Sequence, residues 1–153
     1  MEFTHVEIIT DGACRGNPGP GGYGVILRFG TNEKELSGGF RNTTNNRMEL
    51  LAAISGLRSL NRKCSVTLYS DSQYLVNGIE KGWATKWRSN NWIKSDKKPA
   101  INSDLWDELL KLTEEHEVKF VWVRGHDGHE ENERCDQLAV AAALSASVSD
   151  NVP

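Results

Sequence analysis

Short blocks of alternating apolar and polar residues occupy the first part of the chain, and helical spacing appears after them. Thr4-His5-Val6-Glu7-Ile8-Ile9-Thr10 reads as a strand closed by Asp11-Gly12. Gly16-Asn17-Pro18-Gly19-Pro20-Gly21-Gly22 has the composition of a turn or loop, so Tyr23 to Phe29 forms a second strand in a hairpin with the first. Glu33 to Phe40 gives a third, polar-edged strand. Thr43-Thr44-Asn45-Asn46 then supplies capping residues for a helix over 46–60. Met48, Leu50, Leu51, Ala52, Ala53, Ile54, Leu57 and Leu60 make that helix apolar nearly all round, so it must be sandwiched between other elements. A fourth strand over 65–70 leads through Asp71 to a short helix over 72–80, and the stretch that follows has no clean period. Leu105, Trp106, Leu109, Leu110 and Leu112 predict a helix over 103–116, followed by a strand over 118–124 and a loop at 125–129. Cys135, Leu138, Ala139 and Ala142 form the inner stripe of a last helix over 131–146. Residues 148–153 are expected to be a frayed tail, leaving 1–147 as a single domain.

This order predicts an α/β fold in which helices cover a mixed sheet. The first three strands would be antiparallel. Strands four and five, each reached through helices, would lie parallel to the first and on its other side by right-handed crossovers. Ligands in open sheets of this kind bind at the carboxyl ends of strands where the order reverses. A length of 153 residues, 38% hydrophobic and 25% charged, excludes disordered, collagenous and coiled-coil chains. The longest uncharged apolar run, Leu50 to Leu57, is under half a bilayer span, and no secretory pattern opens the chain, so a cytoplasmic protein with no membrane partner is expected. Cys14, Cys64 and Cys135 are odd in number and widely spaced, which fits reduced thiols.

The net charge of −3 argues against a nucleic-acid partner until its distribution is considered. Lys81, Lys86, Arg88, Lys94, Lys97 and Lys98 face Asp96 alone, a local +5, while the rest of the chain carries −8. Three of the five tryptophans, Trp83, Trp87 and Trp92, fall inside this basic stretch. A solvated loop explains the charges taken alone. Interleaved indole rings beside phosphate-pairing cations are what a nucleic-acid groove needs.

Candidate chemistry lies in carboxylates. Asp11 and Asp71 each follow a hydroxyl residue at the end of an apolar strand; on neighbouring strands they would lie about 5 Å apart. Taken singly, each also reads as an ordinary strand-ending or capping residue. Glu49 is the only charged residue between Arg47 and Arg58, in a helix that reads as buried. A buried carboxylate is costly unless paired or bound to metal, the bland alternatives being a helix-dipole role or a pair with Arg47. Asp136, beside the inner stripe of the last helix, is balanced between facing the strand ends and acting as a first-turn acid. Converging carboxylates stay ionised together only around cations, and all-oxygen ligands select Mg2+ or Mn2+. Two such ions about 4 Å apart can activate water and stabilise the leaving oxygen in displacement at phosphorus. His126, in a glycine-flanked loop, has the chemistry of a proton shuttle. Three motif matches fail on context. Gly19-Pro20-Gly21-Gly22-Tyr23-Gly24 fits GxGxxG but precedes a strand rather than a helix, His126, His129 and Cys135 complete no standard zinc spacing, and Asn42-Thr43-Thr44 has no secretory route to glycosylation.

Four segments together resemble bacterial ribonuclease H of type I: Thr10-Asp11-Gly12-Ala13-Cys14-Arg15-Gly16-Asn17-Pro18-Gly19, Thr43-Thr44-Asn45-Asn46-Arg47-Met48-Glu49-Leu50, Ser70-Asp71-Ser72-Gln73-Tyr74, and Gly125-His126-Asp127-Gly128-His129 through Asn132-Glu133-Arg134-Cys135-Asp136. The resemblance runs in family order from residue 4 to residue 146. It implies a ribonuclease H-like five-stranded mixed sheet, order 3-2-1-4-5, with helices on both faces. The implied activity is two-metal-ion endonucleolytic cleavage of the RNA strand of an RNA/DNA hybrid, leaving 3′-hydroxyl and 5′-phosphate ends. Mg2+ is the implied cofactor, with Mn2+ as a substitute. By the same resemblance Asp11, Glu49, Asp71 and Asp136 would hold metal, and His126 would activate water or assist product release. Cys14, Asn17, Asn45, Asn46 and Gln73 would contact the substrate, chiefly the RNA strand and its 2′-hydroxyls. Thr44 and Asn102 would hold a DNA-strand phosphate, while Trp83, Trp87 and Ser95 would line a channel against deoxyribose. A monomer is expected, as is usual for the family, and no separate hybrid-binding domain precedes residue 4, so processive binding is not expected.

The sequence departs from the family at Asn42, where some relatives carry arginine, at Asp127, where a small residue is usual, and in its negative charge. Two other readings compete. A non-catalytic hybrid-binding module would gain nothing from clustered carboxylates in a phosphate site. Another nuclease of the same superfamily would generally lack the tryptophan-rich basic stretch together with Asn45, Asn46 and Gln73.

Overall fold

A computed structural model describes residues 4–124 and 130–150. Its strands are β1 (His5–Cys14), β2 (Gly19–Phe29), β3 (Asn32–Thr43), β4 (Ser65–Ser70) and β5 (Glu117–Trp122). Its helices are α1 (Asn45–Arg58), α2 (Gln73–Glu80), α3 (Trp83–Ser89), α4 (Ser103–Glu115) and α5 (Glu130–Leu144). The strands form one sheet in the order β3-β2-β1-β4-β5. Pairing is antiparallel from β1 through β3 and parallel from β1 through β4 to β5, as the connection lengths predict. Side chains alternate across β1, so the sheet is apolar on both faces. Val6 and Ile8 join the main core with α1 residues Leu50, Ala53, Ile54 and Leu57 and α4 residues Leu105, Trp106 and Leu109. Ile9 faces the other way, against Ile26 and Cys135 of α5. Helices therefore cover both faces, and α1 is buried almost all round.

Three expectations need correction. The glycine run is largely strand rather than loop, because β1 continues to Cys14 and β2 begins at Gly19. Its glycines serve close packing: a side chain at Gly22 would strike the Ala139 carbonyl, and one at Gly24 the Cys135 carbonyl, both in α5. The stretch after α2, which has no clean period, holds the short helix α3. It follows Gly82 (φ 75°), buries Ala84 and sets Trp87 edge-on to Trp106 at 6.2 Å, too few inward positions to register as periodicity.

The tail is tied down through Asp150 rather than frayed at 148–150. Arg41 N–H donates to the Val148 carbonyl (2.7 Å), and Asp150 N–H donates to that of Asn42 (3.2 Å). The Asp150 carboxylate also accepts from Arg47 Nε at 2.7 Å. Arg47 is only 1% exposed, and a buried guanidinium needs anions around its whole fork.

The glycine packing makes a stability prediction. Gly24→Ala is expected to lower the unfolding free energy by about 2–3 kcal/mol, since a methyl group would force α5 off the sheet. Urea denaturation checks this, and unchanged stability would show that α5 yields freely.

Candidate active site

The parallel pairing of β1 with β4 ends at Ile9 and Tyr69, and the Thr10 hydroxyl extends it by donating to the Tyr69 carbonyl (3.0 Å). The next step past the end of β4 sets Asp11 beside Asp71. Asp71 does end its strand, whereas Asp11 sits within β1, which runs on into the hairpin. Glu49 reaches the same point from α1, at its fifth position. One carboxylate oxygen from each of Asp11, Glu49 and Asp71 lies within 4.8 Å of the others. Gly12 allows this approach: a Cβ there would lie 2.8 Å from the Glu49 nitrogen. Its amide donates to Asp11 Oδ1 at 3.0 Å and to Glu49 Oε1, while the Ser70 hydroxyl donates to Glu49 Oε2 at 3.4 Å.

Asp136 is the seventh residue of α5, beyond reach of the helix-terminus field, which excludes a first-turn role. It lines the same open cavity of about 350 Å³ as Asp11, Glu49 and Asp71, and is close enough to Asp11 to share a hydrogen bond with it. Arg47 does not pair with Glu49. Its guanidinium turns to Asp104 and Asp150, and among the described residues no lysine or arginine pairs with any of the four carboxylates.

Electrostatics follow from this geometry. Burial first, then the charges of Asp71 and Asp136, push the Asp11 carboxyl from 3.8 up to about 8. Burial and the charges of Asp11 and Asp71 hold Glu49 well above the usual carboxylate range. Cys135, whose thiol donates to the Ile9 carbonyl at 3.3 Å, is pushed up to about 12 by burial and by Asp11, so it stays a neutral thiol. A buried all-oxygen donor set with unbalanced negative charge fits a hard divalent cation.

Residues 4–144 match the family described as RNase H. The chain belongs to the ribonuclease H family. Ribonucleases H are nucleases that hydrolyse RNA in RNA/DNA hybrids. The chain is 67% identical over 138 residues to "Ribonuclease H" of Desulforamulus reducens, covering 90% of this chain and 87% of that relative. It is 63% identical over 143 residues to "Ribonuclease H" of Syntrophus aciditrophicus, covering 94% and 83%. Among solved structures it is similar to LC9-RNase H1, a type 1 RNase H with the type 2 active-site motif (TM-score 0.84, 29% identity, 99% of this chain and 80% of that one). It is also similar to LC11-RNase H1 in complex with RNA/DNA hybrid (TM-score 0.70, 26% identity, 91% and 96%).

Around the ribonuclease H carboxylates the cavity brings together Asn45, Asn46 and Gln73 from the candidate substrate residues. Asn17 adjoins them, its Oδ1 accepting from Asn45 N–H at 3.1 Å. The Cys14 thiol donates to the carbonyls of Gly19 and Thr43. Thr44 caps α1, its hydroxyl accepting from Arg47 N–H at 3.2 Å. Asn102 is 5% exposed, accepts from Arg47 Nη1 (3.1 Å) and donates to the Tyr74 hydroxyl (3.2 Å). Trp83 is 40% exposed with the Lys81 ammonium 5.7 Å from its ring, Trp87 packs on the core, and Ser95 lies exposed in the loop after α3. His126 and Asp127 lie outside the described residues. Gly12, Ser72 and Tyr74 also line the cavity; they stand in the segments that carry the family resemblance, but their residue types alone assign them no role. Trp122, at the end of β5, went unnoticed as well: its indole N–H donates to the Asp71 carbonyl at 3.1 Å. No signal in the chain pointed to that bond.

A carboxyl whose folded-state pKa is raised binds a proton that the unfolded chain has already released. For Asp11 that window runs from 3.8 to about 8, so in chelator its effect on stability worsens as pH rises through this window. Asp11→Asn in chelator is expected to raise Tm by about 3–10 °C at pH 8 and by roughly half that or less at pH 5. Equal gains at both pH values, read by calorimetry, would contradict the electrostatic account.

Proposed function

We propose that the chain cleaves the RNA strand of RNA/DNA hybrids endonucleolytically with divalent cations held by Asp11, Glu49, Asp71 and Asp136. The convergence of Asp11, Glu49 and Asp71, with no cationic side chain beside them among the described residues, is the observation that carries this reading. Mg2+ is the ion proposed, two during turnover, with Mn2+ as a substitute. Such ions, when bound, lower the pKa of water and offset charge developing at the phosphoryl oxygens.

The chain's own residues do the rest. Asp11 and Glu49 stay in place because Gly12 N–H and the Ser70 hydroxyl bond them into the fold, and Asp71 is set beside them by its place at the end of β4, where its carbonyl accepts from the Trp122 indole. Asn45, Asn46 and Gln73 present amide donors and acceptors at the cavity wall, suited to the 2′-hydroxyls that distinguish RNA from DNA. Cys14 and Asn17 extend that contact. Thr44 and Asn102 hold a DNA-strand phosphate, and Trp83, Trp87 and Ser95 pack against deoxyribose, where a 2′-hydroxyl would crowd the rings. Water attacks phosphorus in line, the bond to the 3′-oxygen breaks, and the products carry 3′-hydroxyl and 5′-phosphate ends. His126 moves a proton in this exchange or helps the product leave. The chain works as a monomer on the hybrid. Among the described residues no helix is long and apolar enough to cross a membrane, and the proposed place of action is the cytoplasm.

Labelled RNA/DNA, RNA/RNA and DNA/DNA duplexes incubated with and without Mg2+ test the reading. Cutting is expected only in the RNA of the hybrid and only with metal. Asp11→Asn and Asp71→Asn are expected to abolish turnover while hybrid binding in a gel-shift assay is retained. His126→Ala is expected to slow cleavage about 10²-fold. Hybrid binding without cutting under all metal conditions would instead make the chain a reader of hybrids.

A further inference from the structure

Arg47 stands two residues before Glu49 yet is 1% exposed and faces away from the carboxylate cavity. Its Nε donates to Asp150 Oδ2 at 2.7 Å, and its Nη2 to Asp104 Oδ2 at 2.7 Å and Asp150 Oδ1 at 3.3 Å. Nη1 donates to Asp104 Oδ1 at 3.0 Å and to Asn102 Oδ1 at 3.1 Å. Asp150 Oδ2 also accepts from the Thr43 hydroxyl at 2.7 Å. The main chain around Asp150 bonds to Arg41 and Asn42, so this carboxylate arrives on a strap laid along the end of β3.

We infer that Asp150 is a positioning residue for substrate, acting through Arg47 and Thr43 to fix Thr44 and Asn102. The inference rests on the reading above that Thr44 and Asn102 hold a DNA-strand phosphate. Thr44 is bracketed on both sides: Thr43 is bonded to Asp150, and the Thr44 hydroxyl accepts from the backbone of Arg47. Asn102 has a left-handed backbone (φ 65°), which asparagine adopts readily, and its side-chain amide is held in one orientation. What holds it is Arg47 Nη1 on one side of its amide and the Tyr74 hydroxyl on the other. Asp104 alone, with its side chain 48% exposed, leaves the Nε edge of Arg47 without an anion, whereas Asp150, 7% exposed, covers it.

Charge and position make opposite predictions here, so the test is decisive. Neutralising Asp150 makes the region more positive and by Coulomb's law alone would tighten phosphate binding. Loss of positioning would weaken it. Full-length Asp150→Asn and Asp150→Ala are assayed with Mg2+ on an RNA/DNA hybrid and on the same hybrid carrying one uncharged methylphosphonate at successive DNA-strand positions. Assays run well below the melting temperature of each variant. KM is expected to rise about 3–10-fold with kcat within about twofold. The methylphosphonate that costs the unmodified protein most in KM is expected to cost either variant little, because both changes remove one interaction. Unchanged or lower KM, or two penalties that simply multiply, would overturn the inference. Should no methylphosphonate position affect the unmodified protein, and Thr44→Ala leave KM alone, the phosphate-holding reading itself falls and takes the inference with it. The near-isosteric Asp150→Asn keeps the test open if Asp150→Ala fails to fold.

Discussion

Mutual repulsion among carboxylates gathered in a half-dry pocket is the constraint around which this fold is arranged. Three acidic groups within 4.8 Å of one another, two of them nearly buried, repel unless protonated or neutralised. The chain supplies no neutralising side chain beside them among its described residues, and its one buried arginine is committed elsewhere. An arrangement so unfavourable in isolation persists because the backbone holds it. Parallel pairing of β1 with β4 sets the two aspartates abreast, and Gly12 lets α1 come close enough to add Glu49.

Close approach of helix to sheet recurs on the opposite face. Glycines in β2 let α5 lie against the strand backbone, which carries Asp136 to the cavity and Cys135 onto Ile9. One architectural device thus delivers acids from both sides of the sheet. Two partly buried charge clusters among the described residues are complementary in kind. One has no lysine or arginine paired to it and fits divalent ions, while the other, around Arg47, is closed by Asp104 and Asp150 within the chain.

Much of this was legible in the sequence. The strand and helix periods, the capping run Thr43-Thr44-Asn45-Asn46 and the lone acid Glu49 in an apolar helix pointed to the sheet, α1 and the buried carboxylate. What escaped detection depended on contacts distant in sequence. Glycines pressed against α5 resemble turn glycines in composition, because a missing side chain looks the same whether it permits a turn or an approach. Asp150 looked like part of a polar tail because its partners, Arg47 and Thr43, lie 103 and 107 residues away. Helix α3 buries only Ala84 fully and is seven residues long, too short for a period to declare itself.

The claim on which everything else depends is that Asp11, Glu49 and Asp71 together grip divalent ions. Crystals of the protein grown with RNA/DNA hybrid and Mn2+, measured near the manganese absorption edge, test it most directly. The account predicts anomalous peaks between these three carboxylates and the RNA-strand phosphate bound beside them, whether intact or already cleaved. Full hybrid occupancy with no peak there, or with manganese bound only at other acidic residues, would contradict it.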